Sequence, residues 1–339
     1  MANDSVSTRI LDHIVHLTPP GTLEASVSAF RKLGFTVTPG GTHADGLTAN
    51  ALVVFADGTY LELLHFTSPR STGSDPADVQ AGSTKHPWAA KRPGWIDYAF
   101  LGNAGSPSVA QTINARAAAD GSGVRYAPEV RGGRTRTDGR VLEWLITAPV
   151  DDGTDVSEFT KEHSRDRDSA ADDVRGRLPF FCGDVTPRAW RVPLDPPSNT
   201  SHPNTAHGIA HVKLLVLPAH FGAYARALTA VLGVPPSPGA RDAANLNDLN
   251  DSNVEEVEEV EEVVWELERQ PEQSVVSGIS GHAALLILKA AEDDEEREYV
   301  RARGAGIYEL GIAVAGGGKE GVVRTPYGRI VFKASAGSQ

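Results

Sequence analysis

The sequence is short of cysteine, of long apolar runs and of positive charge, and each shortage excludes a class of protein. Cys182 is the single cysteine in 339 residues, which rules out an internal disulfide and a cysteine-rich zinc site. No apolar run is long enough to cross a bilayer, and the first twelve residues lack the basic start and apolar core of a secretory signal. These shortages favour a cytoplasmic protein with no membrane partner.

The charge balance is acidic, with a formal net charge of −12. A nucleic acid is a polyanion, and its binding requires a basic protein face that releases counterions. The balance therefore predicts no nucleic-acid partner. The length of 339 residues and an apolar content of 40% predict two globular domains or one large domain with a sizeable core.

Residues 11–66 contain a clear order of strands and one helix. LDHIVHLT alternates as a strand, with His13 on one face and Asp12 on the other. A predicted helix over 22–34 follows, and three predicted strands over 35–41, 49–58 and 59–66 complete a β-α-β-β-β unit. The last of these strands, TYLELLHF, raises a question, because Glu62 lies in a run apolar enough to be buried. A buried carboxylate requires a partner or loses its charge.

The unit recurs along the chain. Weaker strand and helix patterns over 95–185 predict a second unit, and GIAHVKLLV begins a third. His13 precedes Gly34 by 21 residues, and His211 precedes Gly233 by 22, which is typical of an internal repeat. We predict a two-module domain over 9–185 with a lid at 67–93, a linker over 186–206, and a further module over 207–335. The module over 207–335 would carry a disordered acidic insertion at 235–262.

These features resemble the glyoxalase-like branch of the vicinal-oxygen-chelate superfamily, which includes glyoxalases, bleomycin-resistance proteins and dioxygenases. The resemblance is carried by LDHIVHL, LGFTVTPGGTH, TANALVVFADGTYLELL, GGRTRTDG and the repeated GIAHVKLLV. It implies an α+β fold in which repeated βαβββ modules form curled mixed sheets around a cavity, with helices packed outside. It also implies a divalent metal, held by side chains on the first and last strands of the modules.

Carried over residue by residue, the resemblance assigns His13 and Glu62 to the metal, which is Zn²⁺, Fe²⁺, Mn²⁺ or Ni²⁺. Asp97 takes the first-ligand position of the second module, whose last strand offers Phe180 to Cys182 and no glutamate. His211 is the corresponding residue of the third unit, and its carboxylate partner is either Glu266 or Glu309. The metal would supply the positive charge that Glu62 requires.

Further candidates surround this pair in the sequence. His43 lies in a loop at the predicted cavity mouth, where it could act as an acid or base together with Glu62. Asn50 is a candidate for substrate binding, and so are Arg134 and Arg136 in RGGRTRTDGR, whose planar donors suit carboxylate or phosphate. Trp88 and Trp95 could stack on an aromatic substrate.

The leading functional hypothesis is a metal-dependent lyase or isomerase that acts on an oxygenated small molecule. A ring-cleaving dioxygenase would require two histidines and one carboxylate, which His13, His211 and Glu62 could supply if the first and third modules pair. A metal-free binding or resistance protein is the alternative from another class. A homodimer is a possible assembly under each hypothesis.

Overall fold

The structure, a computed structural model, describes residues 6–67, 86–136, 138–150, 175–238, 261–271, 275–276, 283–316, 318, 320–325 and 328–334. None of the helices in these ranges is long and apolar enough to cross a membrane. Residues 68–85 of the predicted lid and residues 239–260 of the predicted acidic insertion lie outside the described residues.

The described residues form two mixed sheets and a few short helices. The strands are β1 (Leu11–Leu17), β2 (Thr38–Thr42), β3 (Thr48–Val54), β4 (Tyr60–Phe66), β5 (Gly94–Leu101), β6 (Val130–Thr135), β7 (Val141–Thr147), β8 (Phe180–Asp184), β9 (Ala206–Val216), β10 (Ser237–Pro238), β11 (Glu262–Glu266), β12 (Leu285–Ala290), β13 (Gly306–Val314), β14 (Gly321–Thr325) and β15 (Gly328–Ala334). The helices are α1 (Leu23–Lys32), α2 (Val109–Asp120), α3 (Arg188–Arg191), α4 (Phe221–Leu232) and α5 (Asp294–Arg303).

The first sheet has eight strands in the order β2-β3-β4-β1-β5-β8-β7-β6. It consists of two βαβββ modules, one from β1 to β4 and one from β5 to β8, and the central pair β1 and β5 is antiparallel. Within each module the first and last strands are parallel neighbours. Paired residues of two neighbouring parallel strands point their side chains to the same face of the sheet. Side chains of β1 and β4 therefore meet on one face although about 50 residues separate them in sequence. The predicted α+β fold with curled, repeated modules is confirmed.

The second sheet repeats this plan with one strand fewer, in the order β10-β11-β12-β9-β13-β15-β14. Strands β9 to β12 form a third module around α4, and β13, β14 and β15 form a shorter fourth module with no helix among the described residues between its first two strands. The region 207–335, predicted as one further module, thus holds one complete module and one reduced module. The first module pairs with the second, and the third pairs with the fourth.

The outer faces of the two sheets and the helices share one apolar core. Its buried residues come from α1, α2 and α4 and from strands of both sheets. Within this core the rings of Phe35 and Phe332 stack with their centroids 5.9 Å apart. Each large apolar side chain removed from water in such a core contributes about 1.5–3 kcal/mol, so the core fixes one sheet against the other.

The inner face of the first sheet is enclosed because its two edges meet. His43 and Arg134 form an isolated antiparallel bridge between the end of β2 and β6, and the amide of Ala44 donates to the carbonyl oxygen of Gly133 at 2.9 Å. The curled sheet is therefore nearly closed into a ring, with residues of both modules around its interior.

The segment predicted as a linker, 186–206, contributes to this interior. It contains α3, whose Arg188 and Arg191 reach Asp12 on β1. The segment therefore supplies charged partners to the first sheet, beyond joining the two halves of the chain.

Candidate active site

The ring of the first sheet encloses a cavity of about 470 Å³. Aromatic and aliphatic side chains form much of its wall, and a few polar groups face one another inside it. The polar and charged lining includes His13, His43, Thr48, Asn50, Glu62, His86, Arg134, Arg175 and Arg191, and the aromatic lining is Tyr60, Trp88, Trp144 and Phe180. A cavity of this size and character is typical of a site for a small molecule.

Glu62 lies at the centre of the polar group and is 6% exposed. The amide of Asn50 donates to Oε1 of Glu62 at 2.5 Å, and Nε2 of His43 lies 3.5 Å from the same oxygen. Nε2 of His13 lies 3.8 Å from Oε2. The partners that the buried carboxylate requires are therefore an amide and two imidazoles from its own module.

His13 is oriented by the residue before it in the chain. Nδ1 of His13 lies 2.8 Å from Oδ2 of Asp12, although strict alternation would put the two side chains on opposite faces. The pairing of β1 with β5 is irregular between Leu11 and His13, and such a bulge re-aims a side chain. Asp12 thus reaches the inner side of the sheet beside His13.

Asp12 is fully buried, and two arginines keep it charged. Burial alone would raise the pKa of its carboxyl, but the guanidinium groups of Arg188 and Arg191, together with His13, hold that pKa well below its usual range. Arg191 donates from Nη1 to Oδ2 of Asp12 at 2.8 Å and from Nε to Asp184 at 2.6 Å. An ionised carboxylate only accepts hydrogen bonds, so Nδ1 of His13 donates to Asp12 and Nε2 faces Glu62.

The His13 ring is also held from its side. It stacks on Tyr60 with the ring centroids 4.6 Å apart and an angle of 17° between the planes. The Tyr60 hydroxyl accepts from Arg191 at 2.8 Å, and burial raises the pKa of this phenol well above its usual value. The imidazole therefore has little freedom to rotate, as an acid or base in a site requires.

Arg134 enters the cavity from the second module and is 6% exposed. Among the described residues, its hydrogen bond is a long one, from Nη1 to Oδ1 of Asn50 at 3.5 Å. Burial lowers the pKa of its guanidinium, while Tyr60 and Glu62 oppose that shift. Two adjacent glycines make room for these groups, since a Cβ on Gly41 would lie 3.1 Å from Nη1 of Arg134 and a Cβ on Gly40 would lie 1.9 Å from Oδ1 of Asn50.

The second module does not repeat the His13–Glu62 pair. The register of β1 and β5 pairs Val15 with Asp97 and His13 with Ala99, so an approximate twofold relates His13 to Asp97. The same twofold relates Glu62, which pairs with Val15, to Phe180, which pairs with Ala99. An apolar ring thus occupies the fourth position at which the resemblance leads us to expect a ligand.

Asp97 contacts Trp88 and Arg175. It is fully buried, and its Oδ2 accepts from the indole of Trp88 at 2.8 Å and lies 3.4 Å from Nε of Arg175. Burial raises the pKa of its carboxyl, against the influence of Arg175. Asp97 does not line the cavity, and its carboxylate faces Trp88 and Arg175.

The side chains of the described residues do not complete a metal centre. Among the described residues, no group of three or more His, Cys, Asp and Glu side chains is placed to hold one ion. His13 and His43 approach different oxygens of Glu62. The two corresponding ligand positions of the second module hold Phe180 and Asp97, and Asp97 is already paired with Trp88 and Arg175. Cys182 also lines the cavity, but burial raises the pKa of its thiol to about 12, which disfavours the thiolate that a metal binds.

His211 lies in the other sheet, on β9. Its Nε2 lies 2.9 Å from Oε1 of Glu309, while Glu266 is exposed at the end of β11, so of the two predicted carboxylate partners the structure selects Glu309. Burial would raise the pKa of Glu309, but the hydrogen bond from His211 and the charge of Lys213, with a smaller contribution from Arg329, lower it to about 2. Since the first and third modules do not pair, the dioxygenase set of His13, His211 and Glu62 is not assembled.

The predicted substrate-binding residues divide between the cavity and other places. Asn50, Trp88 and Arg134 line the cavity. Trp95 is packed between the two sheets, where its indole donates to the carbonyl oxygen of Arg329 at 3.2 Å. Arg136 lies outside the cavity lining and donates to the carbonyl oxygen of Trp190 at 3.1 Å.

Sequence reasoning missed several residues of the site. Asp12 was assigned to the opposite face because a bulge leaves no mark in the alternation pattern. Arg188 and Arg191 lie about 180 residues from Asp12, and only their close spacing in PRAWR hinted at a shared partner. Trp144 follows the glutamate of RVLEWLI and gave no signal beyond that of a buried strand residue.

Comparisons with known proteins agree with this architecture. The sequence profile of a family described as glyoxalase-like domain matches residues 11–232, and no curated protein matches the chain. Among solved structures, a hypothetical protein from Staphylococcus aureus is similar with a TM-score of 0.56 and 10% identity, covering 96% of this chain and 99% of that one. A mutant of 4-hydroxymandelate synthase from Streptomyces coelicolor gives a TM-score of 0.47 at 14% identity, covering 95% and 78% of the two chains.

The match spans both modules of the first sheet and continues into the third module, which makes it more than half of the chain. The family and the enclosed cavity support a small-molecule enzyme or a small-molecule binding protein. The chain belongs to the family of glyoxalase-like domain proteins.

Proposed function

We propose that the protein catalyses proton transfer on a small oxygenated organic molecule, with His13 as the base. The supporting observation is the Asp12–His13 pair, in which a charged, fully buried carboxylate fixes the imidazole and leaves Nε2 toward Glu62 inside the cavity. This arrangement fits the isomerase or lyase chemistry predicted from the sequence, because isomerisation through an enolate and elimination next to a carbonyl group both begin with such a transfer.

The proposed step uses groups of the chain alone. Nε2 of His13 takes a proton from a carbon next to a carbonyl group, and the electron pair of the broken C–H bond moves onto the carbonyl oxygen to give an enolate. Return of the proton to another face or atom of the substrate completes an isomerisation, while loss of a neighbouring leaving group completes an elimination. His43, whose Nδ1 lies 2.6 Å from the Thr48 hydroxyl, would give a proton to the developing oxyanion from Nε2.

The experiment is proton exchange in heavy water. The protein is incubated with a panel of keto acids, hydroxy acids and ketones in D₂O, and loss of the C–H signal is followed by NMR. We expect exchange of at least one compound by the wild type and a rate about 100-fold or more lower in His13→Gln, because a positioned base contributes about 10²–10⁴-fold. His220→Gln, at the residue directly before α4 and outside the cavity lining, is the control and keeps the wild-type rate.

Two other outcomes correspond to the remaining hypotheses. Tight binding of a panel compound without any exchange would support the metal-free binding protein. Stoichiometric metal in protein purified without chelators, lost together with exchange in His13→Gln, would support the metal-dependent enzyme predicted from the sequence. An unchanged exchange rate in His13→Gln would refute His13 as the base.

A further inference from the structure

Arg134 is a buried cation whose hydrogen-bonding capacity is largely unused within the described residues. A guanidinium has five N–H donors, and here the structure gives one long contact, 3.5 Å from Nη1 to Oδ1 of Asn50. The side chain is 94% removed from solvent and lines the cavity. A charge buried in this way is costly unless a partner of opposite sign completes its hydrogen bonds.

Glu62 is close enough to influence Arg134, but its oxygens are directed elsewhere. Oε1 accepts from Asn50 and faces His43, and Oε2 faces His13. Asn50 lies between the two charges, with its amide group toward Glu62 and its carbonyl oxygen toward Arg134 and the amide of Gly41. The carboxylate and the guanidinium are thus held apart by an amide and do not form an ion pair.

The position of Arg134 is a product of the closing of the ring. The bridge between His43 and Arg134 joins the modules at this point, and the two glycines of β2 leave space for the guanidinium beside Asn50. A side chain in place of Gly41 would contact Nη1 at 3.1 Å. The local backbone is therefore suited to presenting the guanidinium to the interior.

The rest of the wall defines the remainder of the ligand. Trp88 and Trp144 face the cavity together with Leu52, Ile146 and Phe180. An apolar body would be removed from water against these side chains, and each buried CH₂ group contributes about 0.8 kcal/mol.

We propose that Arg134, positioned by Asn50, binds the carboxylate of an amphipathic organic acid whose apolar part lies against Trp88 and Trp144. The inference rests on the proposed function in so far as the acid occupies the same cavity as the substrate. It adds a substrate class, since a molecule held by its carboxylate at Arg134 can present a neighbouring carbon to His13 across the cavity.

The test compares acids with their neutral amides by isothermal titration calorimetry. The probes are hexanoate, phenylacetate and 3-phenylpropionate, each paired with its amide of almost the same shape. We expect at least one acid to bind the wild type about tenfold or more tightly than its amide, because a bidentate, charge-assisted contact to a guanidinium is lost in the amide. In Arg134→Met the two members of a pair should bind within about twofold of each other.

Two further variants distinguish a failure of this inference from a failure of the proposed proton-transfer function. Arg140→Met, on the same hairpin but exposed and paired with Asp138, keeps the preference for the acid. His13→Gln also keeps it while losing proton exchange, so a failure of the catalytic proposal leaves the carboxylate preference intact and visible. Should Arg134→Met not fold, Arg134→Gln replaces it, and the wild-type ratio of acid to amide still decides.

The inference is overturned if none of the acids binds the wild type, or if each amide binds as tightly as its acid. It is also overturned if a folded Arg134→Met variant retains the tenfold preference. In either case the guanidinium has a role within the protein and does not recognise a ligand.

Discussion

Two histidines of β1 lie in different environments on opposite faces of the first sheet. His13 faces the cavity beside Glu62, whereas His16, three residues later, faces the core between the sheets. There Nε2 of His16 lies 3.1 Å from the Thr325 hydroxyl, and its ring meets Trp95 edge-on with the centroids 4.6 Å apart. The first histidine lines the cavity, and the second packs in the core.

The environment of His16 predicts a dependence of stability on pH. Burial lowers the pKa of the folded imidazole from 6.5 to about 3, with a smaller contribution from Arg303. The unfolded chain therefore takes up a proton on this residue well before the folded chain does. The stability linked to neutral His16 is complete above about pH 6.5 and is lost as the pH falls toward 3.

We therefore expect His16→Gln to alter the slope of stability against pH. At pH 8 both proteins are neutral at this position, and the variant is less stable by about 1–3 kcal/mol because packing and the hydrogen bond are lost. Between pH 6 and 4 the wild type loses up to about 1.4 kcal/mol more per pH unit than the variant. Urea unfolding at pH 8, 6, 5 and 4 measures both slopes, and parallel curves would contradict the burial of a neutral imidazole.

At the scale of elements, the turn between β3 and β4 connects the two sheets. Asp57 accepts from the amide of Ile209 on β9 at 3.2 Å and from the amide of Thr59 at 2.9 Å, and burial raises the pKa of its carboxyl to about 6. Gly208 makes this approach possible, because a Cβ at that position would lie 2.2 Å from Oδ2 of Asp57.

We expect Gly208→Ala to displace the turn and to lower the free energy of unfolding by about 1–3 kcal/mol, the usual cost of overpacking. The matched control is Gly316→Ala, where a new Cβ would meet nothing within 4 Å and stability should change by less than about 0.5 kcal/mol. Thermal unfolding followed by circular dichroism measures both variants. Equal melting temperatures for the two would show that the junction tolerates a side chain.

The elements were largely predictable from the sequence, whereas their pairing was not. Alternation marked β1 and β4, and the apolar run around Glu62 identified a buried strand with an acid that required partners. The bulge that brings Asp12 beside His13 depends on the partner strand β5, which no local pattern reports. Two other features are likewise properties of the assembled sheet. The strand register puts Phe180 at the position of the second module that corresponds to Glu62, and the contact between β2 and β6 places Arg134 near Asn50.

At the scale of the whole molecule, the two sheets depend on each other through their common core. His211 of the second sheet does not line the cavity, and its ring lies against Gly311, where a Cβ would come within 2.0 Å of Nδ1. Its outer face instead covers that of the first sheet. We therefore infer that the second sheet stabilises the ring of the first sheet, while none of its described residues lines the cavity.

This dependence can be tested with Phe332→Ala, a change in the second sheet. Phe332 is 8% exposed and stacks on Phe35 of the first half, so truncation leaves a cavity at the junction and should lower the free energy of unfolding by about 3 kcal/mol. Because amides in core strands exchange only through global unfolding, hydrogen exchange in β1 and β4 should accelerate about 100-fold, as it does in β9 and β12. Val322→Ala on β14, with Val322 54% exposed, should leave all four strands unchanged. Faster exchange confined to β9 and β12 would instead mean that the halves unfold separately, as the predicted division into two domains implies.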